Sequence, residues 1–143
     1  MQRFIGTWKL VSWESRDAQD NISYPFGKEI VGYIMYGADG FMSVVIAKKN
    51  RAPFVSKDFF GGSQAEKANA YETYLSYCGP YRVQDNIITH DCEINLYPNW
   101  SGVPQERFFK FYVNRLELST APFLIDGKEE TQHLIWEKAK IMG

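Results

Sequence analysis

The first candidate for chemistry is a histidine that shares a strand face with apolar residues. Residues 87–97 alternate between apolar and polar types, which predicts a strand with His90 on the same inward face as Ile88 and Cys92. An inward imidazole can donate a hydrogen bond to a ligand or move a proton. It can equally be a core histidine that a tyrosine hydroxyl or a water molecule satisfies, and the sequence leaves both interpretations open.

The second candidate is Arg107, on a predicted strand over residues 105–113. It shares a face with Phe109, although Phe108 and Tyr112 blur the alternation. An inward guanidinium could anchor a carboxylate, an enolate or a phenolate. The more common role is an ion pair or a carbonyl cap at the end of a barrel, and the sequence favours that role.

The spacing of these two strands limits how the two candidates could cooperate. If the strands form a hairpin around residues 98–104, Arg107 lies opposite about Ile94, which is roughly 13 Å along the strand from His90. The two side chains then cannot share a proton directly. A ligand of a few fused rings could contact both, which favours binding over catalysis.

Aromatic side chains supply the other candidates for a ligand site. Tyr33 and Tyr36 fall on opposite faces of their predicted strand, and Tyr81 is expected to face inward. Trp100 lies in a predicted loop, where a large ring either plugs the end of a barrel or lines an entrance. The predicted ligand-binding residues are Tyr33, Tyr36, Tyr81, His90, Trp100, Arg107, Phe109 and Trp136, with His90 and Arg107 also the candidates for catalysis.

These residues must be positioned by a mainly β structure. The 143-residue chain is 16% aromatic and 45% hydrophobic, a composition that suits pleated sheets and the walls of a small-molecule cavity. Alternating segments predict about eight strands. One helix is predicted at about residues 64–77, between a capping box of Ser63 and Glu66 and a stop at Gly79. Eight antiparallel strands leave no unpaired edge strand when the sheet closes into a barrel. We therefore predict a single all-β domain over residues 1–143, an up-and-down barrel with one inserted helix.

Charge and motif content exclude several classes of function. With 16 basic and 17 acidic residues, the net charge of -1 cannot hold nucleic acid or an anionic membrane. The chain has neither a signal-peptide pattern nor the roughly 18 apolar residues of a membrane helix, so we expect a cytoplasmic protein. We expect Cys78 and Cys92 to be reduced packing thiols and His133 to face solvent. Because no second inward metal ligand then accompanies His90, no metal or other cofactor is expected. The sequence does not decide whether the protein forms a homodimer.

Several segments resemble a known family. Residues 6–10, with a Gly-X-Trp pattern on the first strand, resemble the lipocalin signature, in which the tryptophan packs across the closed end of the barrel. Nearly the whole chain resembles the short lipocalin-like domain family of bacteria and fungi, through residues 24–27, 32–36, 39–43, 77–81, 89–90, 98–100, 107–109 and 116–120. The resemblance implies a small closed barrel with a cavity. The chain departs from secreted lipocalins after Trp136, where Glu137 and Lys138 stand in place of an arginine that would stack on the signature tryptophan.

Three functions are consistent with this sequence. The first is binding of a small, largely apolar or aromatic molecule, with His90, Tyr81 and Arg107 fixing its polar atoms. The second, suggested by relatives near secondary-metabolite genes, is a cofactor-free cyclase or isomerase of a polyketide-like substrate, with His90 as acid or base. The third is an interaction domain whose barrel is filled by its own side chains. A void of a few hundred Å³ that reaches His90 separates the first two functions from the third.

Overall fold

Alternating burial along adjacent strands builds the fold. In the computed structural model, which describes residues 2–140, the strand Ile30–Tyr36 buries every second residue. It pairs antiparallel with the strand Phe41–Lys48. The turn between them uses Gly40 at φ 90°, a conformation that glycine adopts at little cost. The hairpin predicted from the Asp39-Gly40 pair is therefore confirmed.

Between residues 2 and 140 the chain forms eleven strands, one α-helix and two 3-10 helices. The helix α1 spans Gln64–Glu72, and the 3-10 helices span Gln2–Phe4 and Pro98–Trp100. The strands are β1 Gly6–Arg16, β2 Ile22–Ser23, β3 Ile30–Tyr36, β4 Phe41–Lys48, β5 Tyr74–Gln84, β6 Ile87–His90, β7 Ile94–Asn95, β8 Gln105–Phe111, β9 Arg115–Ser119, β10 Phe123–Ile125 and β11 Lys128–Lys138.

Eight of these strands close into a barrel. Their order is β1-β3-β4-β5-β6-β8-β9-β11, every pairing is antiparallel, and β11 returns to β1 with Leu10 opposite Trp136. The short strands β2, β7 and β10 add to β1, β5 and β11 outside the ring. Closure leaves no free edge on the eight barrel strands. The predicted closed antiparallel barrel with an inserted helix is confirmed.

The capping box predicted for the helix is also confirmed. The Ser63 hydroxyl accepts a hydrogen bond from the Glu66 amide at 3.0 Å, and the Glu66 carboxylate accepts one from the Ser63 amide at 2.9 Å. The same carboxylate accepts from the amide of Val55 at 3.0 Å. These hydrogen bonds, first those from the Ser63 and Val55 amides, lower the pKa of Glu66. One side chain thus fixes both the start of the helix and the loop before it.

The end of the helix differs from the prediction of about residue 77. The chain enters β5 at Tyr74 and pairs with β4, placing Leu75 opposite Ile46. Pairing along β4 and burial of alternate side chains outweigh the local helical spacing. Gly79 is therefore a strand residue and not a helix cap. Glycine is required there because a Cβ would collide with the carbonyl oxygen of Asp91.

The predicted strand over residues 87–97 is interrupted. Ile88, His90 and Cys92 are buried, as the alternation predicts, but Ile94 is 71% exposed. The backbone leaves the sheet after His90 and turns, with the amide of Glu93 donating to the carbonyl of Asp91 at 2.9 Å. The strand therefore continues only as the two-residue β7, which pairs with β5.

Aromatic residues close one end of the barrel. Phe4 is buried, and its ring centroid lies 4.9 Å from that of Phe109 and 4.8 Å from that of Phe111. The indole N–H of Trp8 donates to the carbonyl oxygen of Phe4 at 2.8 Å. Trp8 is the tryptophan of the Gly-X-Trp pattern, and it lies at the closed end as the resemblance implies.

Lys138 occupies the position for which the resemblance implies an arginine. Its ammonium nitrogen lies 4.4 Å from the ring centroid of Trp8 and donates to the carbonyl oxygen of Ile5 at 2.6 Å. A cation over an indole face is attracted by the ring quadrupole. The last barrel strand is thereby attached to the first across the closed end.

We expect Lys138→Met to lower the free energy of unfolding by about 1 kcal/mol, because the variant loses the contact with Trp8 and the hydrogen bond to Ile5. Lys110→Met, at an exposed position of β8, is the matched control and should change stability by less than about 0.5 kcal/mol. Denaturant unfolding of both variants measures the difference. Equal stabilities would contradict this role for Lys138.

Candidate functional site

The polar centre of the barrel interior is His90, at the end of β6. Its side chain has no exposed surface. Its Nε2 lies 2.7 Å from the hydroxyl oxygen of Tyr36, and its Nδ1 lies 2.8 Å from that of Tyr77. Burial, and secondarily the charge of Arg107, lower the pKa of His90 well below its usual value. The imidazole is therefore neutral at physiological pH, and both of its nitrogens have partners.

The two tyrosines approach the imidazole from different strands. Tyr36 ends β3, and Tyr77 lies on the inward face of β5. Burial raises the pKa of Tyr77 to about 12, although the Arg107 charge opposes this effect, and burial also raises the pKa of Tyr36. Both hydroxyls stay protonated, so Tyr36, His90 and Tyr77 form a buried hydrogen-bonded chain of neutral groups. We call it the polar chain.

Tyr77 is a site residue that sequence reasoning missed. The helix prediction over residues 64–77 placed it on a helix, where its direction relative to His90 could not be read. A signal was present, because Leu75, Tyr77 and Tyr81 recur with a period of two around Gly79. That period matches the alternating inward face of β5.

Arg107 lies nearer to His90 than the predicted register allows. In the pairing of β6 with β8, Arg107 stands opposite Ile88, and His90 stands opposite Gln105. Arg107 is therefore a diagonal neighbour of His90, a relationship in which Cα atoms are roughly 7–8 Å apart. The predicted separation of roughly 13 Å is wrong because residues 91–104 leave the ladder between β6 and β8 and do not extend the hairpin.

The guanidinium of Arg107 faces the interior but forms no ion pair. Its central carbon lies 5.7 Å from the ring centroid of Trp100, and one N–H donates to the carbonyl oxygen of Glu106 at 3.0 Å. Among residues 2–140, no carboxylate lies within ion-pair distance of it. The expected carbonyl cap therefore accounts for one of its N–H groups and leaves others for a ligand. Phe108, which blurred the alternation, is 44% exposed and points outward.

A small cavity of about 60 Å³ lies against the polar chain, and we call it the inner cavity. Most of its walls are aliphatic or aromatic. Its polar groups are the indole N–H groups of three tryptophans and five further polar side chains: Trp13, Trp100, Trp136, Tyr77, His90, Arg107, Thr120 and Gln132. The volume suits a few water molecules or one polar group of a ligand.

A larger cavity of about 770 Å³ adjoins the inner cavity, and we call it the outer cavity. It lies among the end of α1, the strand β10 and the loop that carries Trp100. Four residues line both cavities: Trp13, Leu75, Trp100 and Phe123. Its volume falls within the range of small-molecule sites, roughly 300–1,000 Å³. Only the inner cavity, of about 60 Å³, reaches His90, and it is smaller than the void of a few hundred Å³ that the sequence-based criterion requires.

The remaining candidates from the sequence divide into three groups. Tyr33 is 47% exposed on the outer face of β3, so it cannot line the interior. Tyr81 and Phe109 lie away from both cavities: the Tyr81 hydroxyl donates to the carbonyl of Gly37 at 2.9 Å, and Phe109 packs at the closed end. Trp136 is 1% exposed and lines the inner cavity. Its indole N–H has no hydrogen-bond partner among residues 2–140.

The thiols and the second histidine show no reactive environment. Cys78 and Cys92 are free, and burial raises the pKa of Cys92 to about 11. His133 lies on the outward face of β11, where its Nε2 is 2.8 Å from the hydroxyl oxygen of Thr131. Neither thiol nor this imidazole lines the inner cavity.

Comparison with known proteins agrees with this architecture. Residues 5–139 match the model of a family described as a lipocalin-like domain. The chain belongs to the lipocalin-like domain family. The resemblance drawn from its motifs is thereby confirmed.

One relative of this lipocalin-like domain carries a functional name. It is the 4'-hydroxy-3'-methoxypropiophenone carrier protein ppsC of Aspergillus oryzae (strain ATCC 42149 / RIB 40). The two chains are 34% identical over 106 residues, which cover 68% of this chain and 96% of the relative. In the part of the lipocalin-like domain that the structure describes, no helix has the length and apolar character needed to cross a membrane.

The buried imidazole makes folding stability depend on pH. The pKa of His90 is about 6.5 in the unfolded chain and lower in the folded state. Below about pH 6.5 the imidazole is therefore protonated in the unfolded chain while it stays neutral in the folded protein. Stability should therefore fall as the pH drops from 7 to 5, with a slope that approaches about 1.4 kcal/mol per pH unit. Denaturant unfolding at several pH values in this range measures the slope.

Two single variants show which histidine causes this dependence of stability on pH. His133→Gln should retain most of it, since burial and the charge of Arg16 lower the pKa of this half-buried imidazole less strongly. His90→Asn should lose most of it, whatever its own stability. A slope that disappears with His133 and persists without His90 would refute the assignment.

Proposed function

We propose that this lipocalin-like domain binds a small aromatic molecule, with the rings in the outer cavity and one polar end in the inner cavity. The observation that carries the proposal is a largely apolar cleft of about 770 Å³, open to solvent, that adjoins a recess lined by Tyr77 and Arg107. Small-molecule sites commonly combine a large apolar volume with a few convergent polar groups.

The walls of the outer cavity suit a planar ring. Trp13 and Phe26 both line it, with ring centroids 4.8 Å apart, and Trp100 and Phe123 line it at the boundary with the inner cavity. Burying an aromatic ring contributes a few kcal/mol, and each aromatic pair adds about 0.5–1.5 kcal/mol. Affinity would therefore come from ring burial, and the inner cavity would set orientation.

The functional name of the relative supports the same class of ligand. The A. oryzae protein is named as a carrier of an aromatic ketone that bears a hydroxyl and a methoxy group. We propose that the ligand of this chain belongs to the aromatic ketones or related phenols, and that the protein carries it without transforming it.

Catalysis by His90 has less support from the geometry. A proton-transfer residue needs a nitrogen within hydrogen-bond reach of the reacting group. Both nitrogens of His90 are engaged by tyrosine hydroxyls, and the ring has no exposed surface. We therefore propose that His90 orients Tyr36 and Tyr77 and does not exchange protons with a substrate.

A larger side chain at the boundary between the two cavities tests this function. Leu75 lines both cavities, so Leu75→Trp should raise the Kd for 4'-hydroxy-3'-methoxypropiophenone by about tenfold or more, as measured by isothermal titration calorimetry. Val31→Trp, at a 41% exposed position on the outer face of β3, should bind as the unmodified protein does. Binding unaffected by Leu75→Trp would place the ligand outside the cavities.

A further inference from the structure

We infer that the inner cavity recognises a hydrogen-bond acceptor at the inner end of the ligand, a carbonyl oxygen or an oxyanion. Tyr77 and Arg107 are the residues that select it. This inference rests on the proposed function and names the chemical class of the ligand's inner end. It follows from the hydrogen-bond donors and acceptors of the side chains that line the inner cavity.

The first step is the tautomer of His90. A neutral imidazole has one donor nitrogen and one acceptor nitrogen. Tyr36 is 2% exposed, and within residues 2–140 its hydroxyl has His90 Nε2 as its only hydrogen-bond partner. If Nε2 carried the proton, the hydroxyl hydrogen of Tyr36 would be buried without an acceptor, which is costly. Tyr36 therefore donates to Nε2, and the proton of the imidazole lies on Nδ1.

The second step follows along the polar chain. With its proton on Nδ1, His90 donates to the hydroxyl oxygen of Tyr77 across the 2.8 Å contact. The hydroxyl hydrogen of Tyr77 is then free, and Tyr77 lines the inner cavity. The polar chain thus presents a donor to a ligand, while the oxygen of this hydroxyl accepts from His90 and has the Arg107 guanidinium beside it.

Two further donors belong to residues that line the same cavity. The indole N–H of Trp136 is buried without a partner among residues 2–140, and burying an unpaired donor has a free-energy cost that a ligand acceptor would remove. Arg107 has N–H groups beyond the one bonded to Glu106, and it carries a full positive charge.

The side-chain oxygens of Gln132 and Thr120, which line the inner cavity, each already accept a hydrogen bond from the protein. The side-chain oxygen of Gln132 accepts from the indole N–H of Trp13 at 2.7 Å. The hydroxyl oxygen of Thr120 accepts from the backbone amide of Gln132 at 3.0 Å. No carboxylate lines this cavity, in which Arg107 is the one charged residue of the described chain. The side chain of this cavity that is buried without any hydrogen-bond partner in the described chain, Trp136, is therefore a donor, and the local charge is positive.

The outer cavity has the opposite charge. Its lining includes the carboxylates of Glu72 and Asp126 and no basic residue of the described chain. The charge therefore changes from positive at Arg107 to negative at the outer carboxylates, which favours a ligand bound with its acceptor or anionic end in the inner cavity. A cationic end in the inner cavity would meet Arg107 and is disfavoured.

Four probes of similar size test the inference by calorimetry. 4-Hydroxypropiophenone and 4-propylphenol differ in the ketone, while 4-propylbenzoate and 4-propylbenzylammonium differ in the sign of their charge. We expect the ketone to bind about tenfold more tightly than the propylphenol, the effect of one added hydrogen bond. The benzoate should bind at least about tenfold more tightly than the ammonium.

Variants assign these preferences to residues. Tyr77→Phe should reduce the affinity for the ketone to that for 4-propylphenol, while leaving the Kd of 4-propylphenol unchanged. Arg107→Gln should abolish the preference for benzoate over ammonium. Tyr112→Phe, at a 51% exposed position, and Arg115→Gln, at an exposed position of β9, are the matched controls. If Tyr77→Phe does not fold, the single variant Trp136→Phe replaces it, because loss of the Trp136 indole N–H should also weaken ketone binding. Arg107→Gln then still tests the preference for the benzoate.

The outcomes separate the inference from the proposed function. If none of the probes binds, 4-propylphenol included, the proposed function fails. Only the inference fails if the probes bind but the Kd of the ammonium equals that of the benzoate, or the Kd of 4-propylphenol equals that of the ketone. In ¹⁵N NMR spectra of the protein, His90 should show a protonated Nδ1 and an unprotonated Nε2, and the reverse pattern would overturn the tautomer on which the inference depends.

Discussion

A neutral imidazole held between two tyrosine hydroxyls inside an apolar barrel is the constraint on which the site depends. The polar chain joins β3, β5 and β6 through Tyr36, Tyr77 and His90. A shift of any of these strands by one residue would turn its polar group outward and leave the other groups buried without partners. The polar chain therefore specifies the register of three barrel strands and, with it, which side chains surround the inner cavity.

Rigid packing supports this chain from the closed end. The ring of Tyr36 contacts Phe4 and Tyr81, with centroids 5.3 and 4.9 Å apart, and the Tyr81 hydroxyl is itself bonded to the backbone of Gly37. The polar chain thus has an aromatic layer behind it and the inner cavity in front of it. A donor held in this way loses little conformational freedom when a ligand binds, which is the basis of preorganisation.

Side-chain alternation made most of the barrel predictable. The inward positions of His90 and Arg107 and the outward position of Phe108 follow from a period of two and the pleat of a strand. The length of α1 was not predictable in this way, because Tyr71, Leu75 and Cys78 also fit a helical period. Only the pairing of β5 with β4, a contact between distant segments, decides between the two patterns.

The geometry of the site depended on the same kind of information. The register of β6 against β8 places Arg107 beside His90, and it is set by where residues 91–104 leave the sheet, which local sequence does not encode. Tyr77 was missed for the same reason as the end of the helix. The inward direction of His90 and Arg107 could be read from local alternation, whereas the direction of Tyr77 and the proximity of Arg107 to His90 depend on pairing between distant segments.

A crystal structure of the protein with 4'-hydroxy-3'-methoxypropiophenone would test the central claim most directly. The account predicts the aromatic ring in the outer cavity and an acceptor oxygen of the ligand within about 3 Å of the Tyr77 hydroxyl. A ligand bound on the outer surface of the barrel, or bound with only its alkyl group in the inner cavity, would contradict it.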